Sequence, residues 1–184
     1  MQCVLNEVKY ESLEVAAYPV VMDQALEDFE NKIPTQSVIN VTVVGVVAIG
    51  GVGKSTLSKH FFNKRRSDFS RSCYLSNVGE KEDLSYLQRQ LFSDLVGKYV
   101  DILSPERGRT MLRKSLARLK VLIVVDDVND GQKLKSLLVI DMLGPGSLIL
   151  ITCRDKMIIR GFPEESSSAV MRFFNRNHLR DMKI

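Results

Sequence analysis

VTVVGVVAIGGVGKST, residues 41–56, begins as an apolar run and ends as a polar one. Val41, Val43, Val44, Val46, Val47 and Ile49 are β-branched and closely spaced, which predicts a buried strand. The run breaks into Gly50-Gly51-Val52-Gly53 and then Lys54-Ser55-Thr56. A strand, a glycine turn and a helix start in that order form the context of a phosphate-binding loop.

Polyphosphate oxygens need many donors at close range. Glycines let backbone N–H groups converge without side chains in the way. The helix that follows aims its first amides and its positive dipole end at the same anion. In this reading Gly50, Gly51, Val52, Gly53 and Thr56 belong to the cradle, and Lys54 reaches the β- and γ-phosphates. Ser55 places its hydroxyl on Mg²⁺. The usual pattern opens with a glycine where this chain has Ala48, a small residue tolerated wherever φ is negative. The bland alternative is a glycine-rich strand-to-helix turn with a chance lysine.

A second apolar run, KVLIVVDDV from Lys120 to Val128, ends in Asp126 and Asp127. Five consecutive apolar residues predict a strand covered by helices on both faces. In an open α/β sheet, ligands sit beyond the carboxyl ends of the strands. Asp126 is therefore the candidate to hold Mg²⁺, directly or through water. Asp127 is the candidate base or water-positioning group. The alternative is a strand ended by turn-forming aspartates. A third run, SLILIT from Ser147 to Thr152, ends in Thr152-Cys153-Arg154, where a polar residue and an arginine can sense a γ-phosphate. Spacing alone leaves Arg154 equally open as a cap of the next segment.

The rest of the chain supplies the covering layers. MDQALEDFENKI, residues 22–33, places Met22, Leu26, Phe29 and Ile33 at helical spacing, and Pro19 is expected to end any helix before it. A helix is expected from Lys54 to Arg65, with His60 as packing or surface and not as a catalytic group. Cys73-Tyr74-Leu75 reads as a short strand. Helices are expected after Asp83, after the Ser104-Pro105 cap and over GQKLKSLL, and a last strand over Ala169 to Phe174. The helix after Ser104-Pro105 is expected to carry Met111, Leu112, Leu116 and Leu119 on its apolar side and Arg107, Arg109, Arg113, Lys114, Arg118 and Lys120 as a solvated outer face.

Composition narrows the class. With 184 residues the chain suits one α/β domain, and 45% hydrophobic and 26% charged residues are ordinary for a globular protein. The formal charge of +4 comes without a basic block interleaved with aromatics, so nucleic acid is not an expected partner. Cys3, Cys73 and Cys153 are odd in number and widely spaced, which argues for a reducing, cytoplasmic setting and against a zinc or disulfide frame. No apolar stretch is long enough to span a bilayer, so no membrane partner is expected.

Four segments in order carry a resemblance: AIGGVGKSTL (Ala48 to Leu57), CYLSNVGEKEDLSYLQRQL (Cys73 to Leu91), KVLIVVDDVND (Lys120 to Asp130) and GPGSLILITCRDK (Gly144 to Lys156). Together they resemble the NB-ARC nucleotide-binding domain of plant disease-resistance proteins, among the signal-transducing P-loop NTPases. The second segment is more like the variant that follows an N-terminal TIR domain. The resemblance runs over residues 18–176. It implies a three-layer α/β fold with a parallel sheet in order 2-3-4-1-5. It also implies ADP bound at rest, ATP on activation, and Arg154 as a phosphate sensor. Cys153 stands where the family usually has threonine. The GLPL and MHD motifs of the following subdomains, a TIR domain and leucine-rich repeats are not found in these residues. The expected organisation is an extension over 1–20, the nucleotide-binding subdomain over 21–176, and the cut start of a further helix over 177–184. Three functional readings follow: an ADP/ATP-dependent switch module in defence signalling, a slow ATPase, or a nucleotide-free fragment that pairs with a full-length receptor of the family.

Overall fold

The computed structural model describes residues 12–14, 19–33, 40–81, 83–138, 140–162 and 169–174. Five parallel strands form one sheet: β1 (Val41–Val47), β2 (Arg71–Leu75), β3 (Val121–Val128), β4 (Leu148–Cys153) and β5 (Ala169–Phe174), in the order β2-β3-β4-β1-β5. This is the strand order that the resemblance implied. The helices are α1 (Pro19–Lys32), α2 (Lys54–Arg65), α3 (Leu84–Val96), α4 (Pro105–Ser115) and α5 (Gly131–Leu137).

Alternation along the strands divides the interior into two cores. Val43, Leu75, Ile123, Val125, Ile149 and Ile151 face one side, where α3, α4 and α5 pack. Val44, Val46, Leu122, Val124 and Leu150 face the other, where α1 and α2 pack. Successive side chains of a strand point to opposite faces, so an unbroken apolar run is what a doubly covered sheet requires. Parallel strands need crossovers, and the intervening helices supply them.

Local chemistry sets the helix starts. Asp83 caps α3 by accepting from the Ser85 amide at 2.8 Å. Ser104 caps α4, with Pro105 in its first turn. Gln88, fully buried on α3, donates through Nε2 to the carbonyls of Pro105 (3.0 Å) and Ser136 (3.4 Å), which ties α3 to α4 and α5.

Several boundaries differ from the sequence reading. Helix α4 ends at Ser115, short of the Leu119 and Lys120 expected within it, as Leu116 caps it and Arg118 turns to a φ of 69°. Strand β2 begins at Arg71, two residues early. Helix α1 starts at Pro19 itself, three residues before the expected start. Proline bars a helix from continuing through it but suits the first turn, where its missing N–H has no partner to lose. The expected cut helix over 177–184 lies outside the described residues.

Helix α1 is held through Phe29, which is fully buried and meets Phe61 of α2 edge-on, with centroids 5.5 Å apart at 86°. Phe29→Ala is expected to destabilise the protein by about 3–5 kcal/mol. Urea unfolding followed by circular dichroism would measure it, and a midpoint equal to the parent's would show that α1 is not part of the core.

Candidate functional site

The carboxyl ends of β1, β3 and β4 meet at a cavity of about 350 Å³. The loop after β1 supplies Gly50, Gly51 and Gly53 to its wall, and the start of α2 supplies Lys54, Ser55 and Thr56. Asn77, Asp127 and Arg154 close the other side. Of the residues singled out from sequence, eight therefore share one crevice. Val52 and Asp126 do not line it. The Val52 side chain packs against the core beneath α2, and Asp126 sits behind the wall at 1% exposure.

The loop backbone explains its glycines. Gly51 and Gly53 have φ of 79° and 83°, in the left-handed region that side chains disfavour. A Cβ on Gly50 or Gly51 would meet nothing within 4 Å, because that side opens outward.

Lys54 is only 7% exposed and donates to the Ile49 carbonyl at 2.9 Å. Burial pulls its pKa below the ordinary lysine value, and the Arg154 guanidinium adds to that. Asp127 and, less strongly, Asp126 oppose them. Arg154 is well exposed and pairs with Asp127 at 3.4 Å across the mouth of the cavity.

The two acids are adjacent in sequence yet occupy different environments. Between Val125 and Val128 the β3–β4 register slips: Val125 pairs with Ile151, and Val128 with Cys153. Three steps on β3 match two on β4, which is a β-bulge. Asp127 absorbs it with a φ of 55°, which aspartate tolerates better than most residues. The bulge keeps Asp126 on the α2 side of the sheet, brings Asp127 to the cavity, and returns Val128 to the opposite core.

Thr152 pins this arrangement. Its hydroxyl accepts from the Asp127 amide at 2.9 Å and donates to Asp126 Oδ1 at 2.6 Å. Fully buried, it turns away from the cavity, so the polar residue read from sequence as a phosphate sensor instead holds the acids. The loop after β2 is clamped to the same strand end: Val78 and Gly79 donate their amides to the carbonyls of Asp126 and Asp127. Asn77, at the head of that loop with a φ of 51°, reaches the cavity, which the sequence reading missed. Its position after a short strand in NVG, a turn-prone tripeptide, was the available signal.

Cys153, next to Arg154, donates to the Asp155 carbonyl at 3.3 Å, and burial pushes its thiol up to about 11. It and Cys73 are free and buried. His60 is not among the residues lining the cavity.

A parallel sheet covered on both faces, with a strand–glycine loop–helix at the carboxyl edge and an acid-bearing strand beyond a third, defines the P-loop NTPase class. The NB-ARC domain profile matches residues 22–180, and the chain belongs to that family. It is similar to Disease resistance protein RUN1 of Vitis rotundifolia, with 31% identity over 163 residues, 85% of this chain and 12% of that protein. Against Disease resistance protein RRS1 of Arabidopsis thaliana the identity is 36% over 140 residues, 73% of this chain and 9% of that protein. Against TMV resistance protein N of Nicotiana glutinosa it is 32% over 149 residues, 76% and 13%. The chain thus spans only 9–13% of the length of these relatives. Among solved structures, Cdc6p of Pyrobaculum aerophilum matches with a TM-score of 0.59 at 12% identity, over 88% of this chain and 47% of that one. A chain of the Drosophila ORC bound to DNA matches at 0.54 and 9%, over 84% and 91%. These two likenesses show the fold alone.

Thr152→Val keeps the shape and removes the hydroxyl. It strands a buried carboxylate oxygen and a backbone N–H, so it is expected to cost about 1–3 kcal/mol. Urea unfolding with an unchanged slope would show this, and a loss below about 0.5 kcal/mol would mean the bridge contributes little.

Proposed function

We propose that this chain is an ADP/ATP-binding switch module of a plant disease-resistance protein, acting in defence signalling in the cytoplasm. One observation carries the reading: Lys54, Ser55, Thr56, Asp127 and Arg154 share a single cavity with the backbone of a glycine loop.

The donor set fits a polyphosphate. It offers open main-chain amides, an ammonium, two hydroxyls and a guanidinium, which are the groups that recognise phosphate oxygens. The desolvated Lys54 ammonium gains more from an anion there than an exposed lysine would. The donors also fit Mg²⁺ held sparingly. Among the described residues no group of three His, Cys, Asp or Glu could hold a metal ion. Mg²⁺ suits such a site, because it commonly binds through one or two protein oxygens, the phosphates and water. Ser55 is the direct candidate. Asp126, buried behind the wall, acts through water or through the groups it orients. When bound, the ion neutralises phosphate charge.

Lys54 would reach the β-phosphate that both nucleotides carry and the γ-phosphate that only ATP carries. Arg154, at the mouth, is placed to favour the nucleotide with the extra phosphate, and a ligand shifts an equilibrium only through such differential contacts. Asp127 is the water-positioning candidate. Its carboxylate is shared with Arg154 at 3.4 Å, which restrains it as a free base and accords with slow turnover. Among the described residues no helix is long and apolar enough to cross a membrane. A full-length receptor of the same family is the proposed protein partner.

Lys54→Ala is expected to abolish binding of a fluorescent ADP analogue, and binding as tight as the parent's would refute the site. Arg154→Ala is expected to weaken ATP by roughly tenfold, about 1.4 kcal/mol, while leaving ADP nearly unchanged. Equal losses for both nucleotides would remove Arg154 from the sensing role.

A further inference from the structure

Asp126 has a second set of neighbours besides Thr152. On the α2 side of the sheet, Tyr74 of β2 is buried, with its ring edge-on to Phe62 at 5.5 Å. Its hydroxyl lies 2.9 Å from Ser58 Oγ, and Ser58, itself 1% exposed, donates to the Ser55 carbonyl at 3.0 Å. Burial first, and then the charge of Asp126 beside it, hold the phenol protonated well above the ordinary tyrosine range. Tyr74 pairs with Val124 in the β2–β3 register, so Asp126, two residues further along β3, is its neighbour on the same face. The phenol's one hydrogen, shared with Ser58 Oγ, is the one available to turn toward that carboxylate. Directed at Ser58, it leaves the serine's own hydrogen for the Ser55 carbonyl. Directed at Asp126, it draws that hydrogen toward Tyr74 instead. Each hydroxyl has a single hydrogen, so a change at either end of the chain is felt at the other.

We propose that Tyr74 and Ser58 are positioning residues, coupling the buried acid of β3 to the first turn of α2 through the chain Asp126–Tyr74–Ser58–Ser55, and so setting how strongly nucleotide affinity depends on a divalent cation. The proposal rests on the nucleotide reading above and deepens it. Lys54, Ser55 and Thr56 are presented by that first turn, and Asp126 does not itself reach the cavity. A hydroxyl chain is the route by which a buried carboxylate can bear on them.

The test uses the whole chain. Tyr74→Phe keeps the ring and its packing and removes only the hydroxyl. Affinity for the fluorescent ADP analogue is measured in Mg²⁺ and in EDTA for the parent, Tyr74→Phe, Ser58→Ala and the double variant. Each single variant is expected to cut the gain that Mg²⁺ confers by roughly fivefold, with affinity in EDTA unchanged. The double variant should lose no more than either single one, as members of one chain do. Equal losses in Mg²⁺ and EDTA, or losses that add, would overturn the coupling. Hydrogen exchange on the nucleotide-free protein provides a readout independent of binding. Tyr74→Phe should speed exchange over residues 54–60 and leave α4 unchanged, and protection equal to the parent's would end the proposal. If the parent fails to bind ADP, the nucleotide reading falls, and the exchange result alone decides the coupling.

Discussion

One buried hydroxyl, on Thr152, sets the geometry at the centre of this molecule. By accepting the Asp127 amide and donating to the Asp126 carboxylate, it stabilises a bulge that would otherwise leave two polar groups unmatched in the interior. The bulge lets neighbouring acids serve different ends, one behind the cavity wall and one on it. Without it, strict alternation would turn Asp127 toward the α3 core and Val128 toward α2. The placement of the acids, the reach of Arg154 to Asp127, and the field felt by Lys54 all follow from that extra residue.

The sheet beneath tolerates this irregularity because it is packed on both faces. Val43 and Val44, Ile123 and Val124, and Ile149 and Leu150 divide neighbouring positions between two separate cores. Each strand is locked in register by burial on either side, so a one-residue slip would misplace a whole set of side chains. The bulge sits only at the strand's end, where the core gives way to the cavity. Polar ties complete the frame: Gln88 joins three helices on one face, and the Tyr74–Ser58 pair joins β2 to α2 on the other.

Much of this was legible in the chain. The apolar runs from Val41 and from Val121 identified strands that could only be central, because nothing half-solvated is apolar at every position. The glycine loop showed its strand–turn–helix context through the residues on both sides of it. Asp83, Ser104 and Pro105 marked helix starts through chemistry confined to one turn. Thr152 and Asn77 were harder to read. A threonine at a strand end reads as a polar group free for ligand, and only the neighbouring strand shows that its hydroxyl is already engaged. Asn77 reaches the cavity because the loop after β2 is clamped to β3, a contact between residues some fifty positions apart.

By itself the sequence determined the three-layer class, the phosphate-loop context and membership in a family, since these depend on periodicity, local turn chemistry and the order of motifs. Tertiary structure alone decided which of two adjacent aspartates meets the cavity, what Thr152 does with its hydroxyl, and how Tyr74 comes to meet Ser58. The physical reason is range. Burial pattern and capping act within a few residues, whereas bulge register and hydroxyl partners arise only when separate strands are laid side by side.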